Sequence, residues 1–191
     1  LCGLYAPFTA HCELLILQHP NEHRKYYSTV KLVTQLLTNA RVVRGVVFQE
    51  GEIESALSKI GAPPQQTYLL YPGKDSTDCQ KVHLDRTSTV IVIDGTWDEA
   101  GKIVYRNPIL QSFPKISFSQ SLESNYKVRK QPRPGYLSTL ESIAHLLQIN
   151  AQTTGQGMKA QEYAALFELF QIMVDRQLSY FPRMRKAALV P

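Results

Sequence analysis

"STVIVIDGTWDEAGKIVYRNP", residues 88 to 108, decides the fold. Val90 to Ile93 form a continuous, mostly β-branched apolar run, the pattern of a strand covered on both faces and so of one near the centre of a parallel sheet. The run turns polar at Asp94-Gly95. Thr96 followed by Glu99 fits an S/T-x-x-E capping box, in which the Thr96 hydroxyl accepts the Glu99 backbone N–H while the Glu99 carboxylate reaches back to the Thr96 N–H. A helix is therefore expected to start at Trp97, run to about Arg106 and stop at Asn107-Pro108. Asp94 and Gly95 then occupy the tight turn between the carboxyl end of a strand and the amino end of a helix, where open parallel sheets bind ligands. Gly95 is read as letting a ligand approach the backbone. The alternative is a turn aspartate beside a core tryptophan.

Strand and helix signals alternate outward from this stretch. "ELLILQH" (13–19) reads as a buried strand stopped by Pro20. "STVKLVTQLLTN" (28–39) places Val30, Val33, Leu36 and Leu37 on one helical face, with Asn39 as its terminator. A short strand follows in "ARVVRGVVF" (40–48), then a helix in "GEIESALSKIGAPP" (51–64) broken at Gly61, Pro63 and Pro64. "TYLLYPG" (67–73) is a strand closed by a Pro-Gly turn. Such alternation predicts an α/β fold, a parallel sheet flanked by helices. Further on, the basic, proline-rich "RKQPRPGYLSTLESIAHLLQ" (129–148) leads into Ser138-x-x-Glu141, a second capping box before an apolar helix. Three polar loops, at Pro72-Gly73, at Asp94-Gly95 and before Ser138, are expected to converge beyond the strand ends.

Composition is consistent with a single domain over residues 1–191. With 43% hydrophobic and 19% charged residues the chain is expected to build a real core. No run approaches the roughly 20 apolar residues of a membrane span, and no basic-then-apolar leader opens the chain, so a cytoplasmic protein is expected. Cys2, Cys12 and Cys79 are an odd set at unrelated spacings, which argues against a disulfide framework. Lys and Arg exceed Asp and Glu by 21 to 16, a modest excess that suits a polyanionic partner without requiring one.

Beyond these patterns, "DGTW" (94–97), with Ala100, Lys102, Asn107 and Pro108 after it, resembles the D-x-T-W signature of the DTW-domain family, the tRNA-uridine aminocarboxypropyltransferases. "LQHPNE" (17–22), the Ser28-Thr29 helix start, "LLYPG" (69–73) and "GYLSTLESIA" (135–144) follow the family's order, so the likeness runs from about residue 2 to 180. It implies transfer of the 3-amino-3-carboxypropyl arm of S-adenosylmethionine to N3 of a tRNA uridine, releasing methylthioadenosine. It also implies a SPOUT-like sheet with a trefoil knot, which no periodicity would suggest. The cofactor is then expected against Leu70, Tyr71 and Pro72, against Gly95, Thr96 and Trp97, and against Tyr136, Leu137, Ser138 and Thr139.

Chemistry assigns provisional roles. Uracil N3–H must lose its proton as it attacks, and Asp94 is the nearest base or orienting carboxylate; the other reading has it holding the cofactor's amino group. An ordinary aspartate, with a pKa of about 4, is a poor match for so weak an acid, so proton removal would accompany bond formation or burial would raise the carboxylate. Trp97 either packs on a flat ring or the sulfonium, or belongs to the core. Arg129, Lys130 and Arg133 flank the third loop and are expected to meet tRNA phosphates. Lys102 and Arg106, i and i+4 on one helix, are expected near the substrate at Asp94. The basic tail Arg183, Arg185 and Lys186 is either a second RNA contact or a solvated face. His19 is read as structural. Family members commonly open with a cysteine-rich zinc motif; here only Cys2 and Cys12, with His11, stand as its remnant over residues 1–12, and no zinc is expected. A SPOUT-like RNA methyltransferase and a non-catalytic RNA-binding module are the competing readings. The D-x-T-W segment speaks against the first, and the absence of RNP aromatics or a KH G-x-x-G speaks against the second.

Overall fold

The computed structural model describes residues 5–25, 27–61, 66–119, 122–126, 137–155 and 157–180. Strands β1 (Glu13–Gln18), β2 (Ala40–Arg44), β3 (Thr67–Leu70), β4 (Thr77–Asp78), β5 (Thr89–Asp94) and β6 (Lys115–Ser117) form one parallel sheet in the order β2-β1-β5-β3-β6-β4. As its composition predicts, β5 is interior. It pairs along its whole length with β1, Leu14 opposite Val90 and Gln18 opposite Asp94, and with β3 on its other side.

Successive side chains of a strand point to opposite faces, which explains why the apolar runs are continuous rather than alternating. Leu14, Ile16, Val90 and Val92 join α2 (Thr29–Leu36), α6 (Thr139–Thr153) and α7 (Gly157–Tyr180) in one core layer. Leu15, Leu17, Leu69 and Ile91 join α3 (Glu52–Ile60), α4 (Trp97–Arg106) and α5 (Ile109–Ser112) in the other. Among the described residues no helix is long and apolar enough to cross a membrane.

Local departures from the sequence reading have local causes. Pro20 does stop β1, but as the first residue of a one-turn helix, α1 (Pro20–His23), where its missing N–H costs nothing. Helix α2 ends at Leu36 because Leu37 is already extended, bridging to Phe8. Asn39 is therefore not its terminator. Its side chain accepts from the Ala10 N–H at 2.9 Å and donates to the Cys12 carbonyl at 2.8 Å, fixing the segment that enters β1. Gly61 closes α3 at φ +75°, a left-handed cap that favours glycine; Pro63 and Pro64 lie outside the described residues.

A buried polar network ties this N-terminal segment to the last two helices. His11 Nδ1 lies 2.7 Å from the Tyr163 hydroxyl and Nε2 lies 3.0 Å from Asn150 Oδ1. Asn150, fully buried, also accepts from the Leu84 N–H at 3.3 Å and donates to the Val82 carbonyl at 2.6 Å. Removing one partner from such a network strands the others, at about 1–3 kcal/mol for a buried polar group. Asn150→Ala is expected to lower stability in urea unfolding by about 3 kcal/mol. A loss below about 1 kcal/mol would show that water replaces the amide.

Candidate active site

The apolar rows of the sheet end together in a polar row. At the carboxyl ends of three neighbouring strands, Arg44 stands opposite Gln18 and Gln18 opposite Asp94. Asp94 is 5% exposed. Gln18 Nε2 donates to its Oδ2 at 2.9 Å, and the Thr139 hydroxyl, at the first residue of α6, donates to its Oδ1 at 2.5 Å. The β5 turn and the start of α6, two of the three loops expected to converge, are thus brought together. These are not the only contacts of Asp94.

Both capping boxes form, and each reaches beyond its own helix. In the first, the Thr96 N–H donates to Glu99 Oε2 at 2.8 Å and the Glu99 N–H to Thr96 Oγ1 at 3.3 Å. Glu99 Oε1 also accepts from Asn21 Nδ2 at 3.0 Å and lies 3.2 Å from His19 Nδ1. Burial acts to raise the Glu99 carboxyl, but the Thr96 N–H and hydroxyl, the Asn21 amide and His19 together hold it at about 2. His19 caps α1, its Nδ1 accepting the Asn21 N–H at 3.2 Å, in keeping with a structural role.

In the second box the Ser138 N–H donates to Glu141 Oε2 at 2.8 Å and the Glu141 N–H to Ser138 Oγ at 3.3 Å. Glu141, 2% exposed, accepts as well from the Ser124 hydroxyl at 2.9 Å and from the Asn125 N–H at 2.7 Å. One carboxylate therefore pins residues 124 and 125 against the start of α6.

Several anticipated roles change in three dimensions. A Cβ on Gly95 would lie 3.0 Å from Glu99 Cβ and 3.3 Å from the Ala100 nitrogen. The missing side chain at Gly95 therefore lets the first turn of α4 pack closely on the β5 turn. Trp97 is 37% exposed at the first residue of α4 and belongs to neither core layer, so the core reading does not hold. Leu70 packs against the α6 side of the core, while Tyr71 donates its N–H to the Ile116 carbonyl at 3.0 Å and its hydroxyl sits beside Gly101 of α4. Pro72 is exposed, Leu137 half-buried and Ser138 buried.

Lys102 and Arg106 are exposed and form no ion pair with a described residue. At 1.5 Å rise per residue they lie about 8 and 14 Å along α4 from Trp97. Tyr136, Arg129, Lys130, Arg133, Arg183, Arg185 and Lys186 lie outside the described residues.

Gln18 is the residue that sequence reasoning passed over. The available signal was a polar side chain closing an apolar strand, in the same place as Asp94 at the end of β5. Of the residues considered for a metal, Cys12 is fully buried, and burial pushes its thiol up to about 12. Among the described residues no group of three or more His, Cys, Asp or Glu is placed to hold a metal ion; Cys2 lies outside them.

Comparison with known proteins identifies the arrangement. Residues 1–178 match the profile of the family described as DTW domain. The tRNA-uridine aminocarboxypropyltransferase 2 of Macaca fascicularis is 34% identical over 151 residues, covering 75% of this chain and 49% of that protein. The protein of the same name from Mus musculus is 35% identical over 148 residues, with the same shares. That from Drosophila melanogaster is 32% identical over 148 residues, 76% of this chain and 59% of that protein. The chain thus spans about half the length of the curated relatives it matches. No solved structure matches it. A profile match over 178 of 191 residues, centred on a sheet whose D-G-T-W turn carries the buried carboxylate, makes this chain a member of the DTW-domain family.

Proposed function

We propose that this chain transfers the 3-amino-3-carboxypropyl group of S-adenosylmethionine to N3 of a uridine in tRNA, releasing methylthioadenosine. The observation that carries the reading is Asp94, a buried carboxylate held between Gln18 and Thr139 at the D-G-T-W turn of a family member. The donor set suits the co-substrate: a carboxylate complements a sulfonium and an ammonium, and the amino ends of α4 and α6 favour the carboxylate of the arm. Bound S-adenosylmethionine supplies an electrophilic methylene next to a sulfonium leaving group. Leu70, Tyr71 and Pro72, Gly95, Thr96 and Trp97, and Tyr136, Leu137, Ser138 and Thr139 hold it so that this methylene faces the base. Asp94 takes or orients the N3 proton as the bond forms, because an ionised carboxylate is too weak a base to remove it beforehand.

The trefoil knot of the SPOUT-like fold belongs to the same proposal. It rests on membership of the DTW-domain family. A cytoplasmic setting is supported by Cys12 and Cys79, both free and buried. Mass spectrometry of tRNA nucleosides after incubation with S-adenosylmethionine tests the activity. An aminocarboxypropyl adduct on uridine is expected; a methyl adduct would indicate an RNA methyltransferase, and an unmodified but bound tRNA an RNA-binding module.

Arg129, Lys130 and Arg133 are assigned to tRNA phosphates, with Lys102 and Arg106 alongside. Removing one cation from a phosphate reduces the slope of log affinity against log salt by roughly 1. Replacing Arg129, Lys130 and Arg133 together by alanine should flatten that slope by about 3 units. An unchanged slope would move the RNA face elsewhere.

A further inference from the structure

The polar row that ends the sheet has a direction. Arg44 Nε donates to Gln18 Oε1 at 3.3 Å, and Gln18 Nε2 donates to Asp94 Oδ2 at 2.9 Å. Arginine has only donors and an ionised carboxylate only acceptors, so the amide between them has a single satisfactory orientation. Its oxygen must face Arg44 and its nitrogen must face Asp94. Gln18 is 2% exposed, so neither end can turn to bulk water instead. Strand register fixes the three residues as neighbours in one row across β2, β1 and β5. The Thr139 hydroxyl supplies the donor on the other carboxylate oxygen.

We propose that Gln18, oriented by Arg44, is a positioning residue for the transfer reaction, holding the Asp94 carboxylate aimed at the reacting base. The inference rests on the reading that Asp94 acts in transfer. A carboxylate that accepts two hydrogen bonds loses rotational freedom and keeps its charge. Gln18 touches neither co-substrate nor RNA in this account; it acts through Asp94. Among the described residues, the charged or titratable groups beside the row are His19 and Glu99 at the starts of α1 and α4 and Glu141 at the start of α6, with Arg44 of β2 in the row itself.

Single-turnover transfer in Gln18→Met, Gln18→Glu, Arg44→Met and Asp94→Asn, each with S-adenosylmethionine and tRNA affinities, tests this. Gln18→Met keeps length but removes the donor. Transfer should fall about 10- to 100-fold, the rate equivalent of one hydrogen bond to a charged group, with both affinities within about twofold. Arg44→Met releases the amide to flip and should cost several-fold. Gln18→Glu is the diagnostic variant. Arg44 faces position 18 and favours an ionised carboxyl there, so the one proton that two adjacent carboxylates hold between them falls to Asp94 and disables it as a base. Transfer by Gln18→Glu should therefore be depressed at low pH and recover as pH rises across a range where the wild type is already steady. If Asp94→Asn abolishes transfer while folded Gln18→Met and Arg44→Met keep the wild-type rate and Gln18→Glu keeps the wild-type pH profile, Gln18 has no positioning role and the Asp94 reading stands. If Gln18→Met does not fold, the pH profile of Gln18→Glu and the rate of Arg44→Met decide alone. If Asp94→Asn itself transfers normally, the Asp94 reading falls and this inference with it.

Discussion

Asp94→Asn is expected to lower the single-turnover transfer rate by roughly 100- to 10,000-fold, or about 3 to 5 kcal/mol in the barrier, with co-substrate and tRNA binding little changed. The substitution keeps size and shape but removes charge and basicity. It also turns one end of the group into a donor that faces either the Gln18 amide or the Thr139 hydroxyl, both of which now donate to the carboxylate. A stability measurement belongs beside the kinetics, because Asp94 bonds three parts of the fold: its carbonyl accepts the His19 N–H at 2.8 Å and its side chain meets β1 and α6. Loss of melting temperature and of every function together would make Asp94 a structural clamp. Selective loss of S-adenosylmethionine affinity would reassign it to the amino group of the transferred arm.

Glu141→Ala is expected to be the most damaging single change to the fold around the site. The carboxylate accepts from the Ser138 N–H, the Ser124 hydroxyl and the Asn125 N–H at a position 2% exposed. At about 1–3 kcal/mol for each buried donor left without a partner, a loss of about 4 kcal/mol is expected in urea unfolding. Glu141→Gln retains an accepting oxygen and should lose about half as much. The start of α6 carries Thr139 to Asp94, so S-adenosylmethionine affinity should fall with Glu141→Ala even under conditions where the protein remains folded. Glu99→Ala, in the other box, gives up the bonds to the Thr96 N–H and Asn21 at a more open position and should cost less. Equal losses in the two variants would mean that pinning residues 124 and 125 contributes nothing.

What could be read from the sequence was what short-range chemistry determines. The β-branched run at 90–93, the box at Thr96 and Glu99 and the box at Ser138 and Glu141 each need only neighbours along the chain, and each formed as the pattern predicts. Pairings set by strand register could not be read that way. Gln18 becomes a partner of Asp94 only because β1 and β5 pair in a register that sets them opposite each other, 76 residues apart. The same holds for Asn39, which looked like a helix stop but belongs to the entry of β1. Lys102 and Arg106 stand exposed on the helix expected for them. The family resemblance supplied what neither local chemistry nor register contains: the identity of the proposed transferred group and the expectation of a knot.

The small-molecule product of the reaction tests the central claim most directly, because it reports which carbon of the sulfonium was attacked. When purified protein, tRNA and S-adenosylmethionine are incubated together, methylthioadenosine should accumulate in step with label transferred from the carboxypropyl arm to tRNA, and should not form without tRNA. Accumulation of S-adenosylhomocysteine instead, with label transferred from the methyl group, would contradict the account.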